Sequence, residues 1–467
     1  MAFAGALLLA CTPLAAQDGS DDDLFGEDEV VETGTLVEEG DTASVDDVLV
    51  DDVLRFSGSI QADFSVFASW ADPWGGSLNP LSPDANGLSP SVDLILTMSA
   101  HPTKEFSVYG DLRASYPFEY AFSDGTETFY IPAISVFALY SKVMIAETVF
   151  ATFGKQPLRW GVGYFYSPAD DVFALSAIDV LDPDAEREGP LALKLTYSIP
   201  LTVASIALYA GLPPEDVAQG ANPSYVPEDT AFALKAEALF GNTEIALAGY
   251  WRYDDKARVI AMATTGNGDI NLFAEALLQI GSNRPYLYKR ETPVMIGMFP
   301  TYYYTDERAD GLFFIGTIGG IWMDSELGLT VAAQYRFNGE GQDSTLTLED
   351  AVTAYGESQI PTNDAVDQAL LGYLFGWGQH HAAVSASWTE IFDSDFSLSV
   401  TALMSLQDLS GIVMPRLSWA PWDYVTLSVG GTFSFGEAGD EFVGVAPTGG
   451  TPTAKIDFMV SIGSGSF

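Results

Sequence analysis

The chain has one cysteine, three histidines and only 19 lysines and arginines among its 467 residues. A single cysteine excludes an intramolecular disulfide. Three histidines leave little for metal or acid–base chemistry: His101 sits in a short turn, and His380 and His381 are adjacent. Neighbours on a strand point to opposite faces, so the pair does not converge on one metal ion. His381 shares a face with Ser385, yet four residues of strand span about 13 Å, too far for a serine and its base. This composition argues against an enzyme, and it calls for no cofactor and no metal. Basic residues are outnumbered by 64 acidic ones, a net charge of −45, which argues against nucleic acid as a partner. Beyond the N-terminus no apolar run approaches the roughly 18 residues of a spanning helix. With 48% hydrophobic residues, the apolar side chains must therefore be interleaved with polar ones.

The N-terminus itself, MAFAGALLLACTPLAAQDG, has the apolar core and small-residue end of a secretory signal, although the basic start of such a signal is missing. Cleavage after Ala16 would leave no cysteine in the mature chain. A second reading takes Leu8–Leu9–Ala10–Cys11 as a lipoprotein box with Cys11 acylated. From Gln17 to Leu54 there are 15 acidic residues and no basic one. Such a segment cannot bury enough surface to fold alone. Residues 17–53 are thus expected to be a disordered, solvated periplasmic leader, with an acidic bait for a basic partner or divalent cations as the alternative.

From residue 54 onward the dominant pattern is period-two alternation, with Phe67 an exception. In DSELGLTVAAQYRF, Leu327, Leu329, Val331, Ala333, Tyr335 and Phe337 share one face, and Thr330, Ala332, Gln334 and Arg336 share the other. Segments 54–71, 106–117 and 424–436 repeat the pattern. Runs of about 9 to 13 residues suit a tilted strand crossing a bilayer. Trp70, Tyr116, Trp251, Tyr335, Trp388 and Trp419 fall near strand ends on the apolar face, as interfacial girdles do. Connections alternate short and long, the phase of a barrel with short periplasmic turns and long outer loops; Asp408–Leu409–Ser410 is the exception.

Residues 54–467 therefore predict an all-β, transmembrane, antiparallel up-and-down barrel. Seventeen strands can be placed directly. The segments 269–279 and 311–323 would then both run downward, so an eighteenth strand is expected within 280–310, around YKRETPVMIGM. The count is about 18, with 16 as the alternative. Phe467 is out of phase with Ile456, Phe458, Val460 and Ile462, which needs a bulge in residues 463–465 if it is to face outward.

Residues 154–172, GKQPLRWGVGYFYSPADDV, are the most distinctive non-strand segment. Gly154, Lys155, Gln156, Trp160, Gly161, Gly163, Pro168 and Asp170 resemble a segment of porin-like outer-membrane barrels of the alginate-export type and related uncharacterised families. That resemblance implies a barrel that passes solutes and carries over no substrate. The connection from the fifth to the sixth strand is far longer than a hairpin. Lys155, Gln156, Arg159, Trp160, Asp170 and Arg187 are read as a constriction folded into the lumen, against the alternative of a salt-bridged outer loop. Inward Arg113, Lys194, Lys235, Arg252, Arg336 and Arg416, set against Asp63, Asp93, Asp111, Glu237, Glu244 and Glu275, would place a mixed field across the pore. They could equally brace a wet wall. Residues 339–379 are expected to hold two short helices in an outer lid, with a lumen plug as the alternative, the second helix capped by Thr362 or Asn363. The acidic leader is too short and too charged to be the folded plug of a 22-stranded active transporter.

The functional expectation is a porin-like outer-membrane channel for small hydrophilic or charged solutes, monomeric or a homo-oligomer. Its partners would be outer-membrane lipid and the barrel-assembly machinery. The alternative is a surface-exposed structural or adhesive barrel with a blocked pore.

Overall fold

The computed structural model describes residues 54–73, 79–80, 87–123, 128–172, 188–212, 228, 230–253, 255–282, 284–308, 310–359, 377–443 and 451–463. The signal and leader, the second predicted lid helix, Arg187 and Phe467 lie outside them. Eighteen wall strands are present among the described residues. They are β1 (Leu54–Ala71), β2 (Gly87–Thr103), β3 (Phe106–Ser123), β4 (Thr128–Ala146), β5 (Val149–Lys155), β6 (Leu191–Ser198), β7 (Ala204–Leu212), β8 (Ala231–Phe240) and β9 (Thr243–Trp251). The second half comprises β10 (Arg258–Asn267), β11 (Ile270–Ile280), β12 (Leu312–Asp324), β13 (Leu329–Asn338), β14 (His380–Trp388), β15 (Phe396–Ser405), β16 (Gly411–Trp422), β17 (Val425–Phe435) and β18 (Thr453–Gly463).

Each strand pairs antiparallel with the next, and β18 returns to β1 with Phe64 opposite Val460 and Ala68 opposite Ile456. The sheet is closed, which leaves no open edge and satisfies the backbone of every strand within the wall. Both β1 and β18 begin or end at the rim that carries the short turns.

Alternation decides which side chains meet which solvent. Ile318 is 61% exposed and Leu247 56%, and Phe64, Leu234, Leu272, Val384, Val429 and Phe458 also point outward. Residues of the opposite parity along the strands point inward: Asp63, Glu275, Thr317, Gln334, Ser428 and Asp457 are all buried. A soluble barrel would reverse this arrangement, since such an apolar band left in water forfeits the burial that drives folding. The exterior is fitted to hydrocarbon, and with short turns at one rim and long loops at the other the chain is an outer-membrane barrel.

The eighteenth strand lies elsewhere than expected. Residues 255–268 show little alternation in sequence and suggest a long outer loop, yet Arg258–Asn267 forms β10, paired to β9 and β11 along its length. Its outward Ala261 and Ala263 are small, and its inward Ile260 and Met262 are apolar and buried against the inserted loop, so its alternation is faint. Among the described residues, 281–310 contributes no wall strand. Pro285–Ile296 and Phe299–Glu307 form a separate hairpin that packs on an outer helix, α1 (Leu348–Ser358). Thr347 and Asp350 cap α1 reciprocally, side chain to backbone. Leu287, Tyr303, Leu346, Ala351, Ala354 and Trp377 make the small core of this cap. Asp408–Ser410 remains a short outer turn, with Leu409 at φ 62°.

The main apolar core lies inside the barrel. Trp160, Ala169 and Val172 pack on Ala207, Tyr209, Ala233, Ala246, Ile260, Met262 and Leu277 of the inner wall. Inward alanines on β7 to β9 leave the space that this inserted segment fills.

Candidate functional site

Residues 156–172 leave β5 and fold into the lumen, where two wall side chains hold them. Glu275, halfway along β11, accepts hydrogen bonds from the backbone N–H of Val162 (2.5 Å), Gly163 (2.6 Å) and Ala169 (3.1 Å). The Ser167 hydroxyl donates to the same carboxylate at 3.0 Å. Two strands away, the Gln334 carbonyl accepts from the Phe165 and Tyr166 N–H groups, while its amide donates to the Tyr166 carbonyl at 2.6 Å and to the Thr317 hydroxyl. The two anchors are only 3% and 4% exposed.

The backbone turn explains the Trp–Gly–x–Gly pattern. A Cβ on Gly161 would lie 1.7 Å from Ser167 Oγ and 2.5 Å from Glu275 Oε1, and one on Gly163 would lie 2.1 Å from the Tyr166 carbonyl. Only glycine lets successive N–H groups converge this closely on a carboxylate. Asp170 closes the turn from within, accepting from Trp160 N–H at 2.5 Å and Gly161 N–H at 2.8 Å. Trp160 then packs against Tyr209 with ring centroids 4.9 Å apart.

The other residues singled out in the loop are distributed differently. Gln156 donates to the Ala192 carbonyl at 2.9 Å and fastens the loop's neck. Lys155 pairs with Glu188 and also reaches the Val136 carbonyl. Arg159 is exposed.

The wall charges are largely arranged in local pairs or over rings. Arg113 meets Asp111 at 2.7 Å and lies over the Phe137 ring. Lys235 meets Glu237 at 2.7 Å, and Arg416 meets Asp457 at 3.2 Å. Lys194 sits over Tyr209 and Arg336 over Tyr166 of the inserted loop. Arg252, expected to face inward, lies just beyond β9 in the outer connection. Glu275 is not a free bore charge, because the loop's amides enclose it. Gln334 escaped the sequence reading since an amide carries no charge. The run of inward alanines was the available signal.

At the outer mouth, Glu441 gathers several elements. It accepts from His381 Nε2 (2.9 Å) and from the Trp377 and Gly378 N–H groups, while its own N–H donates to Asp408. The cap is held by Asp350, which takes hydrogen bonds from Tyr303 and Lys289 at 2.6 and 2.9 Å. Burial alone would raise the Asp350 carboxyl. The bonds from Tyr303, Lys289 and Thr347 outweigh it and hold the group at about 2.

No family model and no curated protein matches the sequence. Among solved structures the chain is similar to OccAB1 of Acinetobacter baumannii (10% identity, 88% of this chain and 96% of that one, TM-score 0.47). It is also similar to the outer membrane protein opdK of Pseudomonas aeruginosa (9%, 88% and 99%, TM-score 0.45). A BenF-like porin of Pseudomonas fluorescens Pf-5 gives 9% identity, 88% and 99% coverage and a TM-score of 0.44.

Proposed function

We propose that the chain is an outer-membrane channel through which small hydrophilic solutes diffuse, with residues 156–172 as its constriction and the paired wall charges as its lining. One observation carries this reading: a loop inserted at mid-wall is tethered by the buried side chains Glu275 and Gln334 inside a closed, lipid-facing barrel. A loop with no role in passage would be cheaper to leave in water outside. The finer assignment to the alginate-export type is supported by the Gly154–Asp170 motif, whose glycines serve the inserted turn. Signal-directed export of residues 1–16, insertion by the barrel-assembly machinery and self-association belong to the same reading. It requires no catalytic step.

A second reading, an adhesive barrel with a closed bore, is favoured by the outer cap, where a hairpin and α1 share their own apolar core. Purified protein in a planar bilayer separates the two. Discrete, ion-carrying steps in KCl support the channel. Silence, together with ligand capture by the cap, supports the adhesin.

A further inference from the structure

The hairpin of Pro285–Ile296 and Phe299–Glu307 continues β11 and β12 beyond the outer rim, through the bonds from Gly281 N–H to the Gly311 carbonyl and from Ser282 N–H to the Arg308 carbonyl, both 2.8 Å. Its base is packed: Leu287 and Tyr303 are buried with Leu346, Trp377 and the alanines of α1. Its far end stands in water. Met298 is 86% exposed and Phe299 56%, with Val294 and Met295 exposed beside them. Residues 292–305, TPVMIGMFPTYYYT, carry no charge at all. A contiguous apolar apex left in water marks a contact surface.

We propose that this apex inserts into a facing bilayer of zwitterionic lipid. The role is separate from passage through the bore and holds whether or not the bore conducts. The order of side chains along the hairpin carries it. Next to the apex come Tyr302 and the paired rings of Tyr288 and Tyr304, 5.3 Å apart. Charges of both signs accompany them, Arg290 and Glu291 in the bulge and Asp306 and Glu307 nearer the barrel. Apolar tip, amphipathic rings and mixed charges match a bilayer entered from water, with hydrocarbon deepest and headgroups outermost. A chain of net charge −45 is repelled by an anionic surface, which leaves neutral lipid. Gln342 bonds both the N–H and the carbonyl of Leu287, and Glu340 accepts from the inward Gln279. The base therefore leans toward the mouth and not over the lipid around its own wall. Pro293 and Pro300 lack an N–H, which disfavours pairing of this end with a strand of a second copy.

The test holds the full chain in lipid nanodiscs, mixes them with phosphatidylcholine vesicles and floats the mixture on a density gradient. The discs are expected to rise with the vesicles at low and at high salt. Met298→Asp should lower that partition about tenfold, as loss of one buried apolar side chain does. Leu409→Asp puts the same charge at another exposed apolar position of the outer surface and should leave the partition unchanged. Both variants should keep the parent's far-UV circular dichroism, since both sites lie in exposed turns. In a Cys11→Ser chain, an environment-sensitive dye on Met298→Cys should report apolar surroundings only once vesicles are added. Discs that stay behind, capture that needs anionic lipid, or equal losses in the two Asp variants would overturn the proposal. So would discs that cluster without vesicles, which points to a second copy, and a dye already in apolar surroundings before vesicles are present.

Discussion

Replacing Glu275 with alanine removes the acceptor for three backbone amides and one hydroxyl of the inserted loop. Hydrogen bonds to a charged group contribute about 1.5–3 kcal/mol each, but four on one carboxylate act as a unit and do not add. Deleting one partner of a buried charged network costs about 3–5 kcal/mol, and that is the appropriate figure. It would shift the balance between docked and undocked loop by roughly two to four orders of magnitude. Trp160 packed on Tyr209 and Val172 in the same core still hold the ends, and Gln334 holds Phe165 and Tyr166 between them, so the release is confined to the stretches on either side of that middle anchor. Single-channel recordings of Glu275→Ala should show frequent excursions to a larger conductance. Ala169, only 1% exposed, offers an independent readout. As a cysteine it should resist a charged thiol reagent in the parent and react in the Glu275→Ala background. An Ala169 cysteine equally protected in both backgrounds, with unaltered current steps, would refute the idea that this carboxylate positions the constriction.

Gly161→Ala should reproduce the Glu275→Ala currents, because its methyl would occupy the Ser167 hydroxyl's place, and combining the two should add little; full additivity in the recordings would contradict a shared cause. Ile318→Arg places a guanidinium at the middle of the outer face of β12 and should cost about 2–4 kcal/mol in refolding into bilayers; a neutral result would mean that this face does not meet lipid. For the cap, Asp350 titrates at about 2 when folded, below its ordinary value. Its contribution is therefore complete above about pH 4 and is lost as pH falls toward 2, on the order of 1 kcal/mol after solvent screening. Asp350→Asn should imitate that loss at pH 7, read as faster tryptic cleavage at Lys289 and Arg290. In a KCl gradient the reversal potential should stay near zero; strong cation selectivity would contradict the pairing of bore charges.

The wall was legible because period-two alternation reports directly on two solvents, lipid and water. Where outward residues shrink, as at Ala261 and Ala263 of β10, the contrast fades and the strand reads as loop. The converse error arose at 285–307, where alternation is real but the apolar face belongs to Leu287 and Tyr303, buried against α1. Local pattern tells that a strand has two unlike faces; it does not tell which neighbour covers them. The inserted loop was legible only from its own side. Gly161, Gly163 and Asp170 mark a tight turn within ten residues of sequence, whereas the carboxylate that binds the turn lies 113 positions from Val162. Glu275 looks like any other inward acid until the loop is seen against it.

That relation also explains why a chain of net charge −45 need not have a strongly negative bore. Fifteen of its acids lie between Gln17 and Leu54, before the first strand. Inside, Asp111, Glu237 and Asp457 are matched by Arg113, Lys235 and Arg416. Glu275 is spent on amides, whose partial positive charges oppose it locally. Fields from such close pairs fall off quickly and are screened further by salt. A permeating solute therefore responds to individual groups at contact distance rather than to the total charge.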